Sequence, residues 1–352
     1  MESKTTLGKR IIWIDLVKGF AIIFVIIGHA LLGFEQINAY PEYQKLIFLT
    51  NKWIYSWHMP LFIFISGITY KLSCLKNNEP NYAKIRKNTL NLGLLYIIFG
   101  TLLPVLKIIF AKYVNNPVSL KELALIILMP ETLMWYIWVL IIYYWIFAGL
   151  CKGKDFSIII FVLLFCVSTV ASYLYSMNMI KMLCIKNLLY CSVFFYYGLY
   201  YMKLKERIKK SCLFILGVFA VCEIVYIATS YHNPIYNQAV AVLLDQLNAF
   251  FMIECVVMIF SKLDSSRFGL LYLGQNSLII YLLHTYFITI MRKIMLQFKV
   301  PCLISIVACT VVPLIVCIII SYIVNANKLL LYLFHPIKIV DHFREKVSEK
   351  HE

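Results

Sequence analysis

Charge is what this sequence has least of. Asp, Glu, Lys and Arg together make up 14% of its 352 residues, where a soluble globular chain carries about a quarter. Acidic residues are the scarcest, 17 against 33 basic ones, which leaves a formal net charge of +16. With 62% hydrophobic residues and a mean hydropathy of +0.82, the chain has too much apolar surface to fold as a soluble enzyme. It also lacks the composition of a disordered segment or of an ordinary nucleic-acid-binding domain. There is no Gly/Ser linker, internal repeat or low-complexity block. Nor is there a nucleophile elbow, a Walker sequence, a dinucleotide fingerprint or a helical H-E-x-x-H pair, so no metal site is expected. What remains is a protein of the bilayer, whose positive charge needs a membrane explanation.

A helix needs about 20 mostly apolar residues to cross the hydrocarbon core. Ten segments qualify, approximately 11–34, 53–71, 90–111, 132–150, 156–176, 187–202, 211–231, 238–261, 270–291 and 302–324. With the amino terminus inside, 22 of the 33 basic residues fall in cytoplasmic segments, as the positive-inside rule requires. The expectation is an all-α polytopic membrane bundle of about ten transmembrane helices with both termini cytoplasmic. Residues 1–327 form the membrane domain, and 328–352 a cytoplasmic tail along the inner surface, where its basic residues attract anionic lipids. The eleven cysteines fall mostly inside the spans and contain no C-x-x-C pair, so they read as small packing residues. Lys4, Lys9 and Arg10 resemble the start of a signal peptide, but the run that follows is too long and carries Asp15 and Lys18, which reads as a retained first helix.

Loops this short leave the helices to build any site, which makes ionisable residues inside spans the search list. The first span places Asp15, Lys18 and His29 on one stripe. Eleven residues separate Lys18 from His29, three turns and about 16 Å along the axis. One reading is a structural polar seam, with Asp15 paired to Lys18 and His29 bonded to a neighbouring helix. The other is catalytic: an imidazole suited to taking a hydroxyl proton, and a cation three turns toward the cytoplasm for the phosphate of a long donor lying along the helix. Glu223 and Glu254 sit in adjacent spans, as pocket-lining groups or as partners of their neighbours. Ser66 before Gly67 reads as a small-residue helix contact.

Four stretches in order resemble the acyltransferase 3 family of integral membrane O-acyltransferases. They are Asp15-Leu-Val-Lys18-Gly19 with His29; Ser56-Trp57-His58-Met59-Pro60-Leu61-Phe62-Ile63-Phe64-Ile65-Ser66-Gly67, in the form seen in the fucose O-acetylase-like branch; Leu133-Met134-Trp135-Tyr136-Ile137; and Gly274-Gln275-Asn276-Ser277-Leu278 with Tyr281-Leu282-Leu283-His284. The resemblance implies that His29 activates the acceptor hydroxyl and that Lys18 serves the acyl-donor side. Lysine stands there where arginine is commoner, which keeps the charge but loses the bidentate fork. Lys84, Arg86 and Lys87 resemble the family's basic loop, suited to coenzyme A phosphates, although Asn91-Leu92-Gly93 follows in place of the usual proline. His58, read as opening the second helix beside Pro60, joins Asp15, Trp135, His284 and Glu254 as supporting or acceptor-side residues. Trp135, Tyr136 and Trp138 serve either as packing aromatics or as a platform for a sugar ring.

The resemblance implies an enzyme of the inner (plasma) membrane that moves an acetyl group from acetyl-CoA, as co-substrate with no bound cofactor, to a hydroxyl of an extracytoplasmic or lipid-linked glycan. An acyl-histidine intermediate stays open beside direct transfer. Expected partners are acyl-CoA, a saccharide acceptor and membrane lipids, with no nucleic acid; the oligomeric state, a homodimer included, is left open. The rival class is a proton-coupled transporter or lipid-linked glycan flippase with Asp15, His29, Glu223 and Glu254 as its relay.

Overall fold

The structure is a computed structural model that describes residues 11–109, 130, 134–208, 218, 221, 238–263 and 268–337. All but two residues of the seventh expected span, 211–231, lie outside these, as do Glu223, His232, His342, His351 and the tail from 338. The described chain is helical almost throughout. Its order is α1 (Ile12–Glu35), a 3-10 turn (Pro41–Tyr43), α2 (Gln44–Cys74), the two-residue strands β1 (Leu75–Lys76) and β2 (Glu79–Pro80), α3 (Tyr82–Ile109), α4 (Trp135–Leu150), α5 (Ile158–Ser176), α6 (Leu183–Tyr190), α7 (Ser192–Ile208), α8 (Gln238–Phe260), α9 (Phe268–Gln275), α10 (Ser277–Gln297), α11 (Cys302–Ala326) and α12 (Lys328–Phe334). Among the described residues five helices, α1, α5, α8, α10 and α11, are long and apolar enough to cross a membrane. The strands pair antiparallel through Asn77 and Asn78, both with positive φ, the conformation that a two-residue hairpin turn demands and asparagine tolerates.

Burial divides the helices by role. In the apolar window of α1, 61% is buried, against 17% for α5 and 22% for α11. The outward faces of α5 (Ile158, Ile159, Leu163, Val170) and α11 (Leu303, Ile304, Ile319, Ile323) are exposed aliphatic surface, as on helices that face lipid. The nine described cysteines are free and mostly buried.

Two expected spans are broken. The segment 187–202 divides between α6 and α7 at Cys191, and 270–291 divides between α9 and α10 at Asn276, whose side-chain amide donates to Tyr272 O at 2.9 Å. The second span departs in the other direction. His58 does not open a helix; it lies in the middle of the 31-residue α2, which begins at Gln44 and runs through Pro60. Proline is most at home in a first turn, but here one missing N–H is tolerated inside a helix whose apolar residues continue in both directions.

The chain forms two compact units, residues 1–62 with 248–322 and residues 63–247 with 323–352. In the first, Tyr40 Oη donates to Val300 O at 2.9 Å and meets Ser305 Oγ at 2.7 Å; the loops joined here were both expected on the outer side. In the second, Asn78 Nδ2 donates to Asp155 Oδ1 at 2.8 Å and Lys203 Nζ donates to the same oxygen at 2.6 Å. That junction collects three segments expected on the inner side. Gly67 and Gly198 mark the crossing of α2 and α7 in this unit, each lying where a Cβ would strike the other helix's backbone. Ser66 Oγ bonds Tyr136 Oη at 2.9 Å beside it, in keeping with a packing role.

Candidate active site

In the first unit α1 crosses α9 at backbone contact. A Cβ on Gly19 would strike Leu270 O, and one on Gly274 would strike Asp15 O. Two of the sequence motifs are therefore the two halves of one crossing, where small residues let helices approach without side chains between them. Asp15, 4% exposed, is locked at this crossing and pairs with Lys18 Nζ at 3.7 Å.

The stripe from Lys18 to His29 is not an open track. Ile22 and Val25, which lie between them on that face, are fully buried, because α1 is packed closely among its neighbours. The expectation of a donor lying along this stripe is corrected accordingly. The partly exposed residues between the two positions, Phe20, Ile23, Phe24 and Ile27, fall on the other side of the helix. Their face carries an aromatic cluster: Phe24 and Trp57 have ring centroids 4.9 Å apart, and Phe20 and Phe260 5.2 Å.

His29 stands at the end of a histidine cluster. Tyr55 Oη lies 3.3 Å from its Nδ1, and the His284 ring centroid lies 5.2 Å from its own. The Tyr55 and His58 centroids are 4.8 Å apart. His58 Nδ1 donates to Ile54 O at 2.6 Å, and His284 Nδ1 donates to Ile280 O at 3.0 Å. A carbonyl only accepts, so in the neutral rings both Nε2 atoms are lone-pair nitrogens. His58 and His284 are buried at 1% and 0% exposure, and His284 Nε2 has no hydrogen-bond partner among the described residues. His29 is the one ring of the three that reaches open space.

That space is a cleft of about 120 Å³ between α1 and α10. His29, Leu32, Gly33 and Gln36 line one wall, and Thr285, Ile288, Thr289 and Arg292 the other. Both sets follow i, i+3, i+4, i+7, so each is a single helix face. Gln36 and Thr289 are exposed at the mouth, while His29 and Thr285 lie deeper. The Arg292 guanidinium occupies the place where a Cβ on Gly33 would be. Arg292, Tyr55, Gln36, Thr285 and Thr289 are not among the residues that the sequence singles out; the matching i, i+3, i+4, i+7 faces are the available signal.

The remaining candidates separate. Glu254 is half-buried on α8. Lys84, Arg86, Lys87 and Trp135 belong to the second unit. There Lys84 and Lys87 line a cavity of about 460 Å³ together with Asn88, Asn91, Tyr144 and His335, and Asn91 Oδ1 accepts from Ile337 N at 3.3 Å. Arg86 is exposed outside that lining. Trp135 opens α4 edge-on to Tyr136, with centroids 6.4 Å apart. Among the described residues no group of three His, Cys, Asp or Glu is arranged to hold a metal ion.

The described residues thus combine a buried histidine cluster that opens on a polar cleft with five helices long and apolar enough to cross a membrane, the pattern of a multi-pass membrane protein. Residues 11–322 match the model of the acyltransferase 3 family, described as an acyltransferase domain, and the chain belongs to that family. It is an acyltransferase, and family membership sets aside the transporter alternative. No curated protein and no solved structure matches it.

Proposed function

We propose that this acyltransferase moves an acetyl group from cytoplasmic acetyl-CoA to a hydroxyl of an extracytoplasmic or lipid-linked glycan, in the inner (plasma) membrane, with His29 as general base. The observation that carries this reading is the access of His29: it borders the cleft while His58 and His284 stay buried behind it. With Nδ1 engaged by Tyr55 Oη, Nε2 is the nitrogen left for substrate. The acceptor hydroxyl gives its proton to Nε2 as its oxygen attacks the thioester carbonyl. The tetrahedral intermediate collapses with cleavage of the C–S bond, and the imidazolium returns the proton to the departing thiolate, giving ester and free thiol. General base catalysis of this kind contributes about 10²–10⁴-fold. Apolar packing around the cluster limits competing hydrolysis by water.

The 460 Å³ cavity supports a donor site in the second unit. Lys84 and Lys87 supply compact cations for phosphate oxygens, with Asn88 and Asn91 as amide partners. Lys18, with Asp15 as its partner, stays a donor-side candidate by family resemblance.

The test is a comparison of wild-type and His29→Ala membranes supplied with labelled acetyl-CoA, with mass spectrometry of the surface glycan. The expected result is normal insertion and loss of acetyl from the glycan; an unchanged acetyl content in the variant would remove His29 from the chemistry.

A further inference from the structure

The cleft at His29 contains a permanent cation that transfer to a neutral sugar does not require. Arg292 lines it from α10, half-exposed, and forms no ion pair with any carboxylate among the described residues. Glu35, the acidic residue closest to this wall along α1, is already engaged: Asn51 Nδ2 donates to its carboxylate at 2.6 Å. The guanidinium is seated rather than trailing in solvent, since it fills the space left by the missing side chain of Gly33.

Its level in the cleft decides what it can do. Side chains on a helix lean toward the amino terminus, and Arg292 accordingly reaches back to Gly33, four residues and about 6 Å along α1 from His29. A donor stabilising the tetrahedral oxyanion has to lie about 3 Å from that oxygen, beside the base and not a turn beyond it. About 6 Å is instead the separation across one sugar ring, between a reacting hydroxyl and an acidic substituent. The rest of the wall suits the same occupant. Thr289 Oγ1 donates to Thr285 O at 2.8 Å, which leaves its lone pairs to accept from sugar hydroxyls, and Gln36 adds an amide at the mouth.

We propose that the acceptor is an anionic saccharide, and that Arg292, seated on Gly33, holds its carboxylate or phosphate while the hydroxyl one sugar-width away meets His29. The proposal rests on the acyl-transfer reading for the fate of the hydroxyl, but binding of the anion by Arg292 is a separate event and can be measured without turnover.

Two measurements test it. In the purified, detergent-solubilised protein, modification of arginines by phenylglyoxal is followed peptide by peptide, with glucuronate, glucose 6-phosphate and glucose as probes. Protection of Arg292 by either anion but not by glucose, with the exposed Arg86 unprotected, is the expected result; equal reactivity with all three overturns the proposal. In membranes, Arg292→Gln should raise the apparent KM for the endogenous glycan about 10- to 100-fold, the cost of one charge-assisted contact, with the KM for acetyl-CoA unchanged and partial rescue by Arg292→Lys. A misfolded variant would lose both. The acetylated unit, or its immediate neighbour in the glycan, should carry a carboxylate or phosphate, and a wholly neutral product overturns the proposal while leaving His29 in place. Protection of Arg292 in a protein that transfers no acetyl would instead keep the anion site and reject the acetyl-transfer reading.

Discussion

His29 and His284 lie with ring centroids 5.2 Å apart, yet only His29 has access to the cleft. His284 donates its Nδ1 proton to Ile280 O, which leaves Nε2 buried with no hydrogen-bond partner among the described residues. A buried acceptor without a partner is costly in a folded protein, and this one lies in a ring packed beside the proposed base, where a lone pair favours the positive charge that His29 would gain. Asparagine separates this role from packing, because its amide nitrogen can replace Nδ1 as donor to Ile280 O but nothing replaces Nε2. His284→Asn is therefore expected to insert and melt within a few degrees of wild type while kcat falls about 10- to 100-fold. The assay is acetyl transfer over a pH series. A loss of stability at unchanged kcat would reduce His284 to core packing.

Tyr55 Oη stands 3.3 Å from His29 Nδ1, and its removal leaves the ring's tautomer and orientation unsupported. Tyr55→Phe preserves the ring that packs at 4.8 Å on His58. A decrease in kcat of about tenfold, from one lost hydrogen bond, is expected with the KM for either substrate little changed, measured by steady-state kinetics in membranes.

Lys84 and Lys87 share a cavity, and their charges are expected to act on the donor alone. Lys84→Ala and Lys87→Ala should each raise the KM for acetyl-CoA about 3- to 10-fold, and the double variant should do so more than either, with dephosphorylated acetyl-CoA narrowing the difference. Arg86, exposed outside the cavity lining, should tolerate Arg86→Ala. Titration of initial rates against donor concentration checks all three.

What was legible in the sequence follows from what each signal depends on. The Lys18 to His29 register and the helical class depend only on local periodicity, and the structure keeps α1 continuous from Ile12 to Glu35. The breaks at Cys191 and Asn276 escaped because hydropathy registers apolar content and not a side-chain amide that bonds Tyr272 O. His58 is expected to open its helix beside Pro60, but the polar residues back to Gln44, which hydropathy does not register, are also helical. Arg292 was missed for a different reason. It lies near a span end, where a basic residue carries no signal beyond topology, and its place in the cleft depends on Gly33 of another helix, a pairing that exists only after α1 and α10 have met. The same limit hid the filling of the stripe at Ile22 and Val25.

Asp155 gives a pH test of the loop junction in the second unit. Hydrogen bonds from Lys203 and Asn78 hold its carboxyl below the ordinary value of 3.8. A depressed folded-state value stabilises the charged form, so the contribution is complete above about pH 4 and is lost as pH falls through the folded value. The junction should therefore be indifferent to pH between 5 and 8 and loosen only in stronger acid. The side chain is exposed, so Asp155→Asn should leave the melting temperature nearly unmoved. What it should change is local proteolysis of the 151–157 loop at pH 7, bringing it to the level seen for the native protein in acid.

The crossing of α1 and α9 is where a single side chain should cost most. Gly19 faces Leu270 O and Gly274 faces Asp15 O at backbone contact, and neither neighbour has a rotamer to move away. Gly19→Val and Gly274→Val should each destabilise the protein by more than about 2 kcal/mol through overpacking. Gly93, with nothing within 4 Å of its Cβ position, should accept alanine without loss. Thermal unfolding in detergent, read beside acetyl transfer, separates two accounts of the paired motifs. If the crossing serves only to pack α1, stability and activity fall together. If it also sets the height of His29 against α10, the milder Gly274→Ala should lower kcat in protein that is still folded, because α9 leads directly through Asn276 into the helix that carries His284 and Arg292.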